Sequence, residues 1–103
     1  YKRNPVLDIT FWANNIATEY IRSKPMHISQ KMLCGERDAE LHRRYPALVG
    51  GRLFSIRCKK NYELIRELMS YNSALIVLSP TELRDKIIQT LADMTVGYGK
   101  VRT

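Results

Sequence analysis

The sequence predicts an α+β fold: a ferredoxin-like split βαββαβ antiparallel sheet followed by an additional C-terminal helix. Apolar residues alternate with polar ones in two stretches, as in half-buried strands, and recur at helical spacing in three others. A run of five apolar residues indicates a further strand that is covered on both faces. The elements follow the order strand, helix, strand, strand, helix, strand, helix, and the first six make the split βαβ arrangement.

The first strand and the first helix are predicted within the first 25 residues. From Val6 to Trp12 the side chains alternate between apolar and polar, which is typical of a half-buried strand. Asn14 or Asn15 can cap the helix that follows, because a short polar side chain there accepts a hydrogen bond from the first turn. Pro25 ends this helix.

Two strands and a long connection are predicted next. The segment from Gln30 to Cys34 indicates a short second strand. The largely polar segment from Gly35 to Gly51 is interpreted as a long loop with room for one helical turn around residues 39–44. Loops of this length in compact domains are often functional or mobile. A third strand follows, in which Phe54, Ile56 and Cys58 share one side.

The last third of the chain predicts a helix, a strand and a final helix. Asn61 caps the first helix, and the apolar run from Ala74 to Leu78 predicts the last strand. Ser79, Pro80 and Glu82 form a capping signature, with serine as the cap, proline at the first helical position and glutamate three residues after the cap. The final helix is expected to finish near Gly97. It either covers the bare face of the sheet or packs on another molecule.

Composition favours a small basic domain in a reducing compartment. The 103 residues include 17 Lys and Arg against 10 Asp and Glu, for a formal charge of +7 that is spread over both halves of the chain. Two cysteines cannot build a disulfide framework, and neither a secretion signal nor a membrane span is recognisable. A cytoplasmic location without membrane contact is therefore expected. Because the chain begins at Tyr1 instead of methionine, we expect a fragment of a longer protein.

The residue types needed for hydrolytic chemistry are present, but their pattern does not favour catalysis. His27 and Ser29 lie two residues apart, with Asp38 and His42 downstream. The serine is not flanked by glycines at a strand-to-helix turn, and no oxyanion site is apparent. His27 is therefore interpreted as a structural loop residue, and no catalytic residue is predicted.

A metal site is also weighed against a structural explanation. Cys34, Cys58, His27 and His42 could supply four zinc ligands. However, closely paired ligands are missing, and Cys58 has the alternation of a core position. No metal and no cofactor are predicted.

Nucleic acid binding is the main alternative function. RNA-binding sheets of this type stack bases on exposed aromatic side chains of their central strands, but Phe54 falls on the same side as the apolar Ile56. Basic side chains could still contact a phosphate backbone or a nucleotide. The candidate residues for this binding are Arg43, Arg44, Arg57, Lys59 and Lys60.

Three segments together resemble a known family. The runs PMHISQ at 25–30, YELIRELMSY at 62–71 and VLSPTELR at 77–84 resemble motifs of the WCX domain, the C-terminal extension of WYL-domain transcriptional regulators. The turn at 72–75 lacks the glycine and acidic residues usual in that family, and the 35–51 connection is longer than usual. The motif residues, with a structural or interface role, are His27, Ser29, Gln30, Tyr62, Tyr71, Ser79, Pro80, Leu83 and Arg84.

The resemblance implies one module of a bacterial regulator. In such a regulator a winged helix-turn-helix binds DNA, a WYL domain senses a nucleic acid or nucleotide effector, and the last domain assists dimerisation and relay. Residues 1–103 are therefore expected to be a single WCX-like domain whose winged-helix and WYL partners lie elsewhere in the full-length chain.

A non-enzymatic role follows as the hypothesis. The apolar last strand should lie at an edge of the sheet, where it needs a helix or a partner to cover it. A homodimer through that edge or through the final helix is predicted. The alternative is a basic ferredoxin-like module that binds single-stranded nucleic acid or a nucleotide.

Overall fold

Four strands form one antiparallel sheet in the order β2-β3-β1-β4. The computed structural model describes residues 6–102, and the described chain is α+β with four α-helices beside this sheet. The elements are β1 (Val6–Ala13), α1 (Asn15–Ser23), β2 (Lys31–Met32), α2 (Gly35–Arg44), β3 (Arg52–Lys59), α3 (Tyr62–Met69), β4 (Leu75–Ser79) and α4 (Thr81–Gly99).

The centre of the sheet is the pair β1 and β3. Phe11 lies opposite Phe54, and their rings stack with centroids 5.4 Å apart and an interplanar angle of 17°. Ile9 lies opposite Ile56 on the same face. Because strand side chains alternate between the two faces, this register turns both aromatic rings into the core.

The main core lies on that face, beneath α1, α3 and the start of α4. Ala17 and Ile21 of α1, Leu64 and Leu68 of α3, and Leu83 of α4 pack on it. The two predicted asparagine caps are present: Asn14 Oδ1 accepts the Ala17 N–H at 2.9 Å, and Asn61 Oδ1 accepts the Leu64 N–H at 2.7 Å.

The second face is covered by α2, in the segment that was expected to be a loop. Leu41, Tyr45 and Leu48 follow one another at spacings of four and three and pack on a second buried cluster that includes Trp12 and Leu53. Acidic residues in the first turn and basic residues in the last turn favour the helix electrostatically. The loop prediction for 35–51 is therefore wrong over 35–38, and the single helical turn expected around 39–44 is part of a ten-residue helix. It is α2, and not α4, that covers the second face.

A tight turn lies at the start of β3, after α2, and hydrogen bonds hold this turn against the end of β1. Gly50 and Gly51 both have positive φ, which glycine adopts without steric cost. The Trp12 indole N–H donates to the Gly50 carbonyl at 2.9 Å, and the Gly51 N–H donates to Asn15 Oδ1 at 3.0 Å. A Cβ on Gly51 would lie 2.0 Å from the Ala13 carbonyl oxygen. The close approach therefore requires glycine.

Three predicted boundaries differ from the structure. The second strand spans only Lys31–Met32 instead of 30–34. Ser79 does not cap α4: it pairs with Thr10 as the last residue of β4, and Pro80 occupies the cap position without a side-chain bond. The final helix continues to Gly99. None of the helices in the described part of the chain has the length and apolar character needed to cross a membrane.

Candidate functional site

An apolar groove lies between α3, β4 and α4 at the β4 edge of the sheet. Its floor and walls are almost entirely hydrophobic, with Arg84, Asn72 and Ser73 as its polar lining residues. The apolar lining residues are Leu68, Met69, Leu75, Ile76, Val77, Ile87, Ile88, Leu91 and Met94. Together with its exposed residues Ile88, Leu91 and Met94, the groove is a candidate interaction site.

The wall formed by α4 continues beyond the domain body. Leu83 is the one buried residue of this fully described helix, and every residue from 91 to 102 is exposed. Leu91 is 50% exposed, Met94 47% and Tyr98 69%. A second hollow, lined partly by Leu91, Met94 and Tyr98, adjoins the groove along the same helix. The second half of α4 thus presents an apolar surface that the domain does not bury.

The floor formed by β4 belongs to the edge of the sheet. Leu75 and Val77 are buried in the main core and Leu78 in the second cluster, so the strand is covered on both faces at these positions, as predicted. Ile76 is the exception and is 38% exposed beside the groove. β4 pairs with β1 on its inner side and forms the last strand of the sheet.

The loop from 24 to 30 is fixed to β3 by a hydrogen-bond network. Ser29 Oγ accepts the Arg57 N–H and donates to the Arg57 carbonyl, both at 2.8 Å. His27 Nδ1 accepts the Ser29 N–H at 3.0 Å and lies 2.7 Å from its hydroxyl. The Gln30 side chain accepts from the Met26 N–H at 3.0 Å and donates to the carbonyl of Ile21, in the last turn of α1, at 3.1 Å. These side chains hold the loop in one conformation.

We expect Ser29→Ala to lower the free energy of unfolding by about 0.5–1.5 kcal/mol, because the exposed backbone N–H and C=O of Arg57 exchange their side-chain partner for water. Urea denaturation measures this loss. Ser23→Ala is the matched control, since its hydroxyl bonds only to the Glu19 carbonyl of its own helix. A loss no larger than that of the control would show that the loop is held by other contacts.

The family model of the WCX domain matches residues 16–95, from the start of α1 into the exposed half of α4. The chain belongs to the WCX domain family. The match includes the 24–30 loop and every lining residue of the groove, and it confirms the resemblance to the WCX domain that the three motifs carry. A search of curated proteins found no match to the chain.

Of the remaining motif residues of this WCX domain, two pack in or on the core and two lie at the surface. Tyr62 is 74% exposed and lies under the Arg66 guanidinium, at 5.7 Å from ring centroid to Cζ. Tyr71 packs against the main core, and burial, together with the nearby Glu67 carboxylate, raises the pKa of its hydroxyl. Leu83 is buried, whereas Arg84 lies at the rim of the groove and donates to the Leu78 carbonyl at 3.5 Å.

The five predicted basic residues do not form one surface in the WCX domain. Arg43 and Arg44 end α2, next to the cluster that contains Leu53 at the start of β3. Lys59 is the last residue of that strand and follows Leu53 by six residues. Roughly 20 Å therefore separates the two ends of the strand. Arg57 lies opposite Asp8 in the sheet, so an acidic residue neighbours the cationic group.

The residues considered for catalysis and for zinc are also dispersed. Asp38 and His42 approach each other on α2, with 3.4 Å between Oδ1 and Nε2, and the hydrogen bonds of His27 and Ser29 are made to other groups. Cys34 is exposed and Cys58 is buried, and burial raises the pKa of the Cys58 thiol. Among residues 6–102, no three His, Cys, Asp or Glu side chains are grouped to hold a metal ion.

The sequence predicts the apolar last strand but not the full groove. Leu68 and Met69 of α3 and Ile88 of α4 also line it, and no local pattern indicates that these helices meet there. The sequence does contain one signal for the rest of the groove. α4 has more apolar residues than the single buried stripe of a helix that packs on a core requires.

Proposed function

We propose that this WCX domain is a non-enzymatic C-terminal dimerisation and effector-relay domain of a WYL-type bacterial transcriptional regulator. The observation that carries the proposal is the apolar groove beside Ile76 of β4, which is continued by the exposed half of α4. Family membership supports the regulatory context, in which a winged helix binds DNA and a WYL domain binds a nucleotide or nucleic acid effector in the cytoplasm.

The architecture is consistent with this role. The strand order β2-β3-β1-β4, together with α1 and α3 packed on one face, supports a ferredoxin-like sheet with α2 and α4 as additions. The groove shares Leu75 and Val77 with the main core, and that core also contains Phe54 and Ile56 of β3. A change at the groove can therefore be relayed from β4 to β3 through packed side chains of the main core.

Separation of the basic side chains directs the proposal away from nucleic acid binding by this domain alone. Arg43 and Arg44 lie at the opposite end of β3 from Lys59 and Lys60. The aromatic rings of the two central strands, including Phe11 and Phe54, are buried. The DNA and the effector are accordingly assigned to the other domains of the full-length regulator.

Sedimentation equilibrium at tens of micromolar tests the proposal. We expect a dimer of the 12.0 kDa chain, and we expect Leu91→Asp to weaken the dimer at least about a hundredfold, since a buried unpaired charge would be introduced into the interface. Val49→Asp is the control, because Val49 is 81% exposed in the connection before β3. A wild-type chain that sediments only as a monomer would contradict the proposal.

A further inference from the structure

We propose that a second copy of this chain binds through α4, with the two α4 helices antiparallel and the exposed half of each lying along the groove of the other. The inference rests on the dimer proposed above and specifies which surface makes it. It assigns the contact to α4 instead of to strand pairing at the edge of β4.

The spacing of apolar residues along α4 indicates a helical partner. Ile87, Leu91, Met94 and Tyr98 follow one another at intervals of four, three and four residues. This is the alternation found where one helix packs along another, and it keeps the apolar seam facing the neighbouring helix. Since Leu91, Met94 and Tyr98 are about half or more exposed, the seam continues where the domain no longer covers it.

The same residues form both sides of the proposed contact. Leu91 and Met94 line the groove and also line the adjoining hollow at the end of the helix. A surface that is at once the wall of a groove and a protruding ridge can pack on its own copy about a twofold axis. A second copy therefore satisfies the surface without requiring a differently shaped partner.

Charge favours the antiparallel orientation. The first turns of α4 carry Glu82 and Asp85 together with Arg84 and Lys86, so their charges balance, whereas the cationic Lys100 and Arg102 follow its end. Antiparallel packing places each cationic end beside a neutral end and opposes the two helix dipoles. Parallel packing would place like charges together.

The edge of β4 is less suited to pairing with another strand. The register between β1 and β4 shifts between Thr10 and Phe11, so that the five-residue strand contains an irregularity. Bulges and short length are features that protect sheet edges against pairing. Ile76 on this edge lines the groove, where it would instead contact the second copy's helix.

Disulfide cross-linking distinguishes these arrangements. In an antiparallel seam with Leu91 opposite Met94 of the second copy, Ile87 lies opposite Tyr98. Eleven residues separate these two positions along one helix, about 16 Å, which is too far for a disulfide within a chain or between identical positions of the two copies. Ile87→Cys and Tyr98→Cys are each prepared in a Cys34→Ser background, which removes the exposed thiol.

After mild oxidation, neither single variant alone should give a cross-linked dimer, whereas an equimolar mixture of the two should. Cross-linking of each variant by itself would show parallel helices and overturn the proposal. Dimers in sedimentation with no cross-link in the mixture would place the contact elsewhere, such as the β4 edge, and overturn this inference alone. A monomeric wild type would instead contradict the dimer itself. Circular dichroism confirms that both variants are folded.

Discussion

A Phe11→Ala variant is expected to lose about 3–5 kcal/mol of its free energy of unfolding, because the burial of a large ring is lost and a cavity is left in the core. Phe11 is fully buried and stacks on Phe54 in the central strand pair. A domain of this size has only about 5–15 kcal/mol of stability in total. Denaturation in urea, followed by the fluorescence of Trp12, measures the change.

Tyr62→Ala is the matched control for this aromatic truncation. Tyr62 is 74% exposed at the start of α3, and alanine is a good helix former, so a change within about 0.5 kcal/mol is expected. Similar losses in both variants would contradict the assignment of Phe11 to the centre of the core.

Gly51→Ala is expected to cost about 3–5 kcal/mol, since it combines two penalties. At φ +65 a side chain strains the backbone, and the added Cβ would lie 2.0 Å from the Ala13 carbonyl oxygen. Relief of this clash must move the turn away from β1, which disturbs the bonds to Trp12 and Asn15.

Gly35→Ala separates the two penalties experimentally. Gly35 has a similar φ of +71, but nothing lies within 4 Å of the Cβ that would be added. Its expected cost is the conformational one alone, about 1–2 kcal/mol. Thermal and urea unfolding of the two variants give the difference. If Gly51→Ala cost no more than Gly35→Ala, the close approach of the turn to β1 would be wrong.

Much of the framework could be predicted because the relevant signals are local. Alternation defined β1 and β3 almost to the residue, and Asn14 and Asn61 cap their helices through the short side chains that make asparagine a favourable cap. The apolar run at β4 gave its burial on both faces, apart from Ile76.

The errors arose where tertiary contacts outweigh local preference. The sequence of α2 is mostly polar, and its Leu41 contributes by packing on a cluster that contains Trp12, which lies 29 residues earlier in the sequence. Ser79 has the chemistry of a helix cap, yet pairing with Thr10 keeps its backbone in the sheet. Spacing also could not show that Ser29 bonds to Arg57, since the two lie 28 residues apart.

The bond between Ser29 and Arg57 also bears on how the molecule avoids uncontrolled association. β2 is only two residues long, so it leaves part of the adjacent edge of β3 without a strand partner. The Ser29 hydroxyl occupies the N–H and C=O of Arg57 there, which denies a foreign strand its first hydrogen bonds. A single side chain thereby protects this stretch of the β3 edge against pairing with a strand of another molecule, whereas the proposed dimer surface lies beside β4 at the opposite edge of the sheet.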